Sequence, residues 1–248
     1  MRENTLPSQS GFPNIRAVIL DYGEVLCYPP PPEAIDRMAR IFHVNPKDYA
    51  ELYARSRGPY DRGDVTPADY WSTLAESVGA SIDDEVIENL RRWDVEMWSS
   101  VNADMLEWAD RLRTSGLKTA ILSNMETDMV RHMRKTYAWL NNFDCQIFSC
   151  EVRLIKPDQA IYRHCLASLG VPASEALFLD DREANVEAAR TEGLTAIRFG
   201  SVRQLRLELE RMNFTILPTV SSGPIVSDDC YRNRDSSSLM PGGEPPAD

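Results

Sequence analysis

Polar residues with catalytic potential follow three short apolar runs of the chain. Asp21 follows Val-Ile-Leu, Ser123 and Asn124 follow Ile-Leu, and Asp180 and Asp181 follow Leu-Phe-Leu. Runs of this kind are typical of buried parallel strands. Because the carboxyl ends of parallel strands share one crevice, in which ligands bind, we expect these side chains to converge. Carboxylates beside a hydroxyl and an amide suit a metal ion and a phosphate group.

The elements that must position these residues alternate between strand and helix. Between residues 105 and 212 the pattern predicts helices and strands in turn, and Lys156 stands just before the helix that follows Pro157. The alternation predicts an α/β fold, a doubly wound, Rossmann-like parallel sheet. A lysine placed before that helix can reach the same crevice.

Residues 33–100 show a different pattern, with helical periodicity and no apolar run suited to a buried strand. We predict an all-helical insert there, with Trp71, Trp93 and Trp98 in its core. The predicted division of the chain is a flexible leader at 1–15, a core domain at 16–32 and 101–215, the helical insert at 33–100 and a disordered tail at 216–248.

Composition narrows the class of protein. The net charge is −11, which argues against a nucleic-acid partner, and no apolar run is long enough for a membrane helix. The polar N-terminus lacks the apolar segment of a secretory signal, so we expect a cytoplasmic protein. Five cysteines without a Cys-x-x-Cys pair favour neither a disulfide framework nor a zinc site. An anionic substrate would need a locally positive site, supplied by a divalent cation, Lys156 and helix N-termini.

Four strings, taken in order, resemble the four motifs of the haloacid dehalogenase-like (HAD) hydrolase superfamily. They are residues 21–26 (DYGEVL), 123–124 (SN), 156–162 (KPDQAIY) and 180–185 (DDREAN). The resemblance runs from about Arg16 to about Arg198. Its details are most similar to the branch that contains the N-terminal phosphatase domain of soluble epoxide hydrolases and bacterial sugar-phosphate phosphatases. In this family the place of the insert is occupied by a helical cap over the active site.

The resemblance implies a nucleophile and a metal site. Asp21 would attack phosphorus and form an aspartyl-phosphate that water then hydrolyses. Mg²⁺ would be held by Asp21, the backbone carbonyl of Gly23 and Asp181, a set that suits its preference for oxygen ligands. Asp180 would hold Lys156 or a metal-bound water.

The remaining motif residues would bind and orient the phosphate. Ser123 and Asn124 would donate to the phosphate oxygens, helped by backbone N–H groups where the next helix begins. Lys156 would neutralise charge on the nucleophile and on the transferring phosphoryl group. Asn185 would steady the acidic loop.

The chain departs from the pattern at Gly23, where most phosphatases of the superfamily carry a second Asp that protonates the leaving oxygen. Its absence favours substrates with good leaving groups, such as sugar 1-phosphates, acyl phosphates or aryl phosphates. Glu24 is the nearest acid that could substitute. Substrate choice is expected to reside in the cap, where the segment 55–62 either faces the pocket or forms a solvated loop.

Three functions remain open. The first is a Mg²⁺-dependent phosphatase for a small phosphorylated metabolite, acting as a monomer or homodimer. The second is a 2-haloacid dehalogenase, in which Asp21 attacks carbon; that chemistry needs no metal and leaves the pair Asp180-Asp181 without a use. The third is a degenerate binding module, which the intact Asp21, Lys156 and Asp181 disfavour.

Overall fold

The structure, a computed structural model, describes residues 14–221. Its centre is a five-stranded parallel sheet in the order β3-β2-β1-β4-β5. The strands are β1 (Ala17–Leu20), β2 (Lys118–Ser123), β3 (Cys145–Phe148), β4 (Ala176–Asp180) and β5 (Thr195–Arg198). The predicted α/β, doubly wound architecture is confirmed.

Ten α-helices accompany the sheet within the described residues. They are α1 (Pro32–Ile41), α2 (Pro46–Asp61), α3 (Pro67–Ser77), α4 (Asp84–Met97), α5 (Ala103–Thr114), α6 (Thr127–Thr136), α7 (Ser149–Val152), α8 (Gln159–Leu169), α9 (Glu183–Thr191) and α10 (Val202–Arg211). None of them is both long enough and apolar enough to cross a membrane.

The central strand β1 is buried along its whole length, and its side chains alternate between two cores. Val18 and Leu20 pack in a cluster with residues of α5, α6 and α10. Ala17 and Ile19 pack in a second cluster with residues of α8 and α9. The alternation follows from the two-residue repeat of a strand, and it places one layer of helices on each face of the sheet.

Helices α1–α4 form a helical insert between β1 and β2 with a core of its own. Its buried residues include Phe42, Tyr49, Trp71 and Leu90, and Trp93 and Trp98 are partly buried against them. Asn45, Thr66 and Asp83 cap the helices α2, α3 and α4 through their side chains. The apolar periodicity at residues 35–42, 70–78 and 87–97 therefore reflects contacts within the insert.

Three local features differ from the sequence-based expectation. Strand β3 was not predicted, because Cys145–Phe148 is a four-residue edge strand with only its last two residues fully buried. Residues 55–61 are not a loop but the end of α2. The predicted disordered tail begins at residue 216, yet residues 216–221 lie against α5, where Ile216 and Leu217 pack on the core. The rest of that tail and all but two residues of the predicted leader lie outside the described residues.

Candidate active site

Three adjacent strands deliver the predicted residues to one edge of the sheet. Asp21 directly follows β1, Ser123 ends β2 and Asp180 ends β4. The backbone N–H of Asp21 donates to the carbonyl of Leu179 at 2.9 Å, which extends the β1–β4 ladder by one residue. All three side chains are buried, as the strand register requires.

Lys156 bridges two of these carboxylates. Its Nζ lies 2.9 Å from Asp21 Oδ1 and 2.6 Å from Asp180 Oδ2, and its side chain is only 1% exposed. Burial alone would lower the pKa of this ammonium group, but the ion pairs with Asp180 and Asp21 outweigh it and raise the pKa. Lys156 is therefore held charged at the centre of the site.

Asp180 is committed to this arrangement through both of its oxygens. Asn185 Nδ2 donates to Oδ1 and Oδ2 at 2.9 and 3.0 Å, and the backbone N–H of Arg182 donates to Oδ1 at 2.9 Å. Asp180 thus holds Lys156, and Asn185 holds Asp180.

Three carboxylates share the pocket with this single ammonium group. Oxygen atoms of Asp21, Asp180 and Asp181 lie within 4.8 Å of one another. Burial, reinforced by the neighbouring carboxylates, raises the pKa of Asp181 to about 8, and burial raises the pKa of Asp21 to about 6 despite Lys156. Clustered carboxylate oxygens with excess negative charge are the donor set that Mg²⁺ prefers, so these residues fit a magnesium ion.

The geometry gives Asn124 a role that was not predicted. Its Oδ1 accepts from the backbone N–H of Lys156 at 2.8 Å, and its Nδ2 donates to the Lys156 carbonyl at 2.9 Å. Both ends of the amide thus hold the lysine backbone. Asn124 thus positions Lys156 with one of the two N–H groups of Nδ2, and donation from the other to a phosphate oxygen stays a prediction.

The N-terminus of α6 also differs from expectation. The carboxylate of Glu126 accepts from the backbone N–H groups of Asp128 and Met129, so this acid occupies the first turn of the helix that was expected to help bind phosphate. Burial, followed by the nearby Asp94, raises the pKa of Glu126 to about 7. In the sequence, Glu126 is recognisable only as the residue at which a helical stretch begins.

Gly23 and Glu24 lie in the tight helical loop Tyr22–Leu26 that follows Asp21. Gly23 has φ −60° and ψ 128°, angles open to any residue, whereas Glu24 has φ 55°. A Cβ on Gly23 would lie 3.9 Å from Trp98 Cζ3 and 4.0 Å from Asp21 Oδ2, which is ordinary contact. Both residues line the same cavity as Asp21.

The cavity in front of the strand ends has a volume of about 1150 Å³ and is lined by core and insert residues together. On the insert side, Arg57 of α2 forms ion pairs with Asp61 and with Asp94 of α4. The segment 55–62 had been identified as a candidate, but Asp94 had not. The spacing in the sequence could have indicated that Asp94 is buried. It lies four residues after Leu90 and three before Met97, on the buried face of α4.

Known proteins resemble this chain in sequence. A family model for haloacid dehalogenase-like hydrolases matches residues 4–193. The bifunctional epoxide hydrolase 2 of Rattus norvegicus is 32% identical over 125 residues, which are 48% of this chain and 22% of that protein. The match therefore spans less than a quarter of that relative's length. An (S)-2-haloacid dehalogenase of Xanthobacter autotrophicus is 27% identical over 162 residues, 61% of each chain.

A similar fold is found in a solved structure. A HAD family enzyme from Bacteroides thetaiotaomicron, in complex with magnesium and inorganic phosphate, superposes with a TM-score of 0.59 at 19% identity, covering 74% of this chain and 93% of that one. The matched family model takes in Asp21, Ser123, Lys156, Asp180 and Asp181. The chain belongs to the haloacid dehalogenase-like hydrolases.

Proposed function

We propose that this protein is a Mg²⁺-dependent phosphatase that hydrolyses a small phosphorylated metabolite through an aspartyl-phosphate. The observation that carries the proposal is a cluster of three carboxylates, two of which pair with the buried Lys156: oxygens of Asp21, Asp180 and Asp181 lie within 4.8 Å of one another, and Asp21 and Asp180 contact the lysine. Such an excess of carboxylate is useful to an enzyme that binds a divalent cation and a phosphate together.

Asp21 is the nucleophile of the proposed reaction, and Oδ2 is its attacking oxygen. Oδ1 accepts from the backbone N–H of Tyr22 at 2.7 Å and is paired with Lys156, while Oδ2 lies toward Gly23. Attack forms the bond between Oδ2 and phosphorus and breaks the ester P–O bond, so that the leaving oxygen departs as an oxyanion and takes a proton from solvent. Water then attacks the phosphorus, releasing inorganic phosphate and regenerating the carboxylate.

The other residues stabilise charge and hold the phosphate. Asp21, Asp181 and the carbonyl of Gly23 would hold Mg²⁺, which when bound neutralises charge on the phosphoryl oxygens. Lys156 places its positive charge beside the nucleophile, and Asn124 and Asp180 hold the lysine there. The Ser123 hydroxyl, at the end of β2, hydrogen-bonds to the Asp21 carboxylate and would turn to donate to a phosphate oxygen when substrate binds.

The test is hydrolysis of 4-nitrophenyl phosphate by the purified protein, with Mg²⁺ or with EDTA. We expect turnover with Mg²⁺, its loss in EDTA, and a fall of roughly 10³-fold or more in kcat for Asp21→Asn, because removal of a nucleophile abolishes the covalent route. The matched control is Asp110→Asn, the same change at a half-exposed carboxylate of α5. Turnover that survives both EDTA and Asp21→Asn would contradict the proposal.

The second candidate is a 2-haloacid dehalogenase, supported by the Xanthobacter relative. In that reaction Asp21 attacks carbon and displaces halide, and Asp181 has no role as a metal ligand. Halide release from 2-chloropropionate that is insensitive to EDTA, without phosphate release from aryl phosphates, would establish this second activity and replace the first.

A further inference from the structure

The cavity wall formed by the insert contains one guanidinium group between two carboxylates. Arg57 Nε and Nη2 lie 2.9 and 2.7 Å from Asp61 Oδ1, and Nη1 lies 2.7 Å from Asp94 Oδ2. The side chains are 15%, 11% and 2% exposed, in that order. The wall therefore carries one more carboxylate than guanidinium groups, in a place where water screens charge poorly.

The guanidinium group is also fixed in position by aromatic rings. Its carbon lies 4.9 Å from the ring centre of Tyr53, 4.8 Å from that of Tyr60 and 5.7 Å from that of Tyr70. Cation–π contacts of this kind, added to two ion pairs, hold Arg57 within the wall. A substrate anion would have to displace Asp61 or Asp94 to gain it.

Neighbouring hydrogen-bond donors point into the same network. The hydroxyl of Tyr53 donates to Asp94 Oδ1 at 2.6 Å, and Trp98 Nε1 donates to the Tyr53 oxygen at 3.1 Å. Glu126 lines the cavity as a further carboxyl group. These donors are engaged by the protein itself, so the insert side of the cavity offers a substrate excess negative charge. Arg182 lines the cavity from the core side, but its electrostatic effect on Asp61 is weaker than that of Asp94.

Apolar side chains complete this side of the cavity. Ile35 of α1, Ala50 and Ala54 of α2, and Met129 of α6 line it together with Trp98. A hydrocarbon or aryl group fits such a surface, since its transfer from water is favourable in proportion to the apolar area that it buries. A second phosphate or a carboxylate would face Asp61 and Asp94 at close range.

We infer that the Arg57–Asp61–Asp94 wall selects phosphomonoesters whose leaving group is uncharged and apolar, and rejects those with a second anionic group. The inference rests on the proposed phosphatase function and deepens it, because it assigns substrate discrimination to these three residues. It also favours aryl or alkyl phosphates over phosphorylated acids and bisphosphates.

A matched pair of substrates tests the inference. 4-Ethylphenyl phosphate and 4-(carboxymethyl)phenyl phosphate have similar size and leaving-group basicity and differ by one remote charge. We expect kcat/KM, measured with saturating Mg²⁺, to favour the ethyl compound at least about tenfold, because like charges placed together in a poorly screened site repel. Equal values, or a preference for the carboxylate, would overturn the inference.

Two variants locate the source of the discrimination. Asp94→Asn and Asp61→Asn each remove one negative charge from the wall while keeping an oxygen that can accept from Arg57. Each variant is expected to raise kcat/KM for the carboxylated ester, so that the ratio of the ethyl to the carboxylated ester falls at least about threefold. The control is Glu96→Gln, which removes a charge from the exposed side of α4 and should keep the wild-type ratio. A ratio unchanged in both wall variants would refute the assignment.

Binding to Asp21→Asn separates this inference from the proposed function. Calorimetric titration of this variant with the two esters measures the preference as a ratio of Kd values, without turnover. A preference for the ethyl ester there, with no hydrolysis by the wild type, would uphold the wall as a charge filter and reject the phosphatase. Hydrolysis of both esters, with no preference in kcat/KM or in Kd, would support the phosphatase and reject the charge filter.

Discussion

At the scale of single residues, Gly23 is the position that most affects the proposed chemistry. Phosphatases of this family commonly carry an Asp there, and the chain has no side chain with which to protonate a leaving oxygen from that point. The backbone does not require glycine, since φ is −60°, and a Cβ would meet only ordinary contacts. Neither backbone conformation nor space therefore requires glycine here, and an acid can be introduced.

Gly23→Asp is expected to raise kcat/KM for an alkyl ester such as hexyl phosphate by about 10²-fold, because general acid catalysis matters most for poor leaving groups. The same variant should change hydrolysis of 4-nitrophenyl phosphate much less, since nitrophenolate leaves without a proton. Gly23→Asn occupies the same space without supplying a proton and serves as the control. An equal effect of the two variants on both esters would contradict this explanation.

Residue types predicted the site better than they predicted the partner of each side chain. The doubled acid at Asp180-Asp181 and the lysine before Pro157 were recognisable as members of one pocket. The contacts of Asn124 could not be predicted, because its partner is the backbone of Lys156, which is far along the chain. A side-chain amide looks the same in sequence whether it binds a ligand or a neighbouring loop.

At the scale of elements, the N-terminus of α6 carries an unusual cap. Glu126 is 1% exposed, and its carboxylate accepts hydrogen bonds from two backbone N–H groups instead of from water. Burial raises its pKa to about 7, so that folding favours the protonated acid. As pH rises from about 4.5 to about 7, the unfolded chain ionises this group first, and stability falls.

We expect Glu126→Gln to reduce this dependence. The loss of unfolding free energy between pH 4.5 and pH 8, measured by urea denaturation, should be smaller in the variant than in the wild type by about 1–3 kcal/mol. Glu51→Gln, the same change at an exposed position of α2, should leave the pH dependence as it is. If the unfolding free energy of Glu126→Gln falls with pH as steeply as that of the wild type, the carboxyl group is ionised in both the folded and the unfolded state.

Elements were predicted well where the local pattern was strong. Strands β1, β2 and β4 stand out as apolar runs ended by polar residues, and α1, α3 and α4 have clear helical periodicity. Helix α2 was harder to predict because it contains Pro59 and because its residues Arg57 and Asp61 look solvated in sequence. Their burial depends on Asp94, a partner contributed by another helix, which no local window includes.

At the scale of the whole molecule, the chain beyond α10 returns to the core. Trp108 Nε1 donates to the carbonyl of Ile216 at 2.7 Å, and Arg111 Nη2 donates to that of Leu217 at 2.7 Å. Both side chains, Ile216 and Leu217, pack on the cluster that includes β1. Residues 216–221 thus secure α5 to the rest of the domain.

A chain ending at residue 215 should unfold at a lower temperature than a chain ending at 221. The lost apolar contacts and hydrogen bonds amount to about 3 kcal/mol, which lowers Tm by roughly 6–12 °C in a domain of this size. Differential scanning calorimetry of the two truncated chains measures the difference. In the longer chain, Ile216→Ser should reproduce part of it and the half-exposed Val220→Ser should not. Equal Tm values for the two lengths would show that the segment contributes nothing.

The position of β1 has a consequence for biosynthesis. Among the five strands of this sheet it is made first, yet it pairs with β2 from Ala17↔Lys118 and with β4 from Ala17↔Ala176. During translation it must wait for both partners, while α1–α4 already have a core of their own to form. The candidate site is therefore completed only when the loop that carries Asp180 and Asp181 has been synthesised.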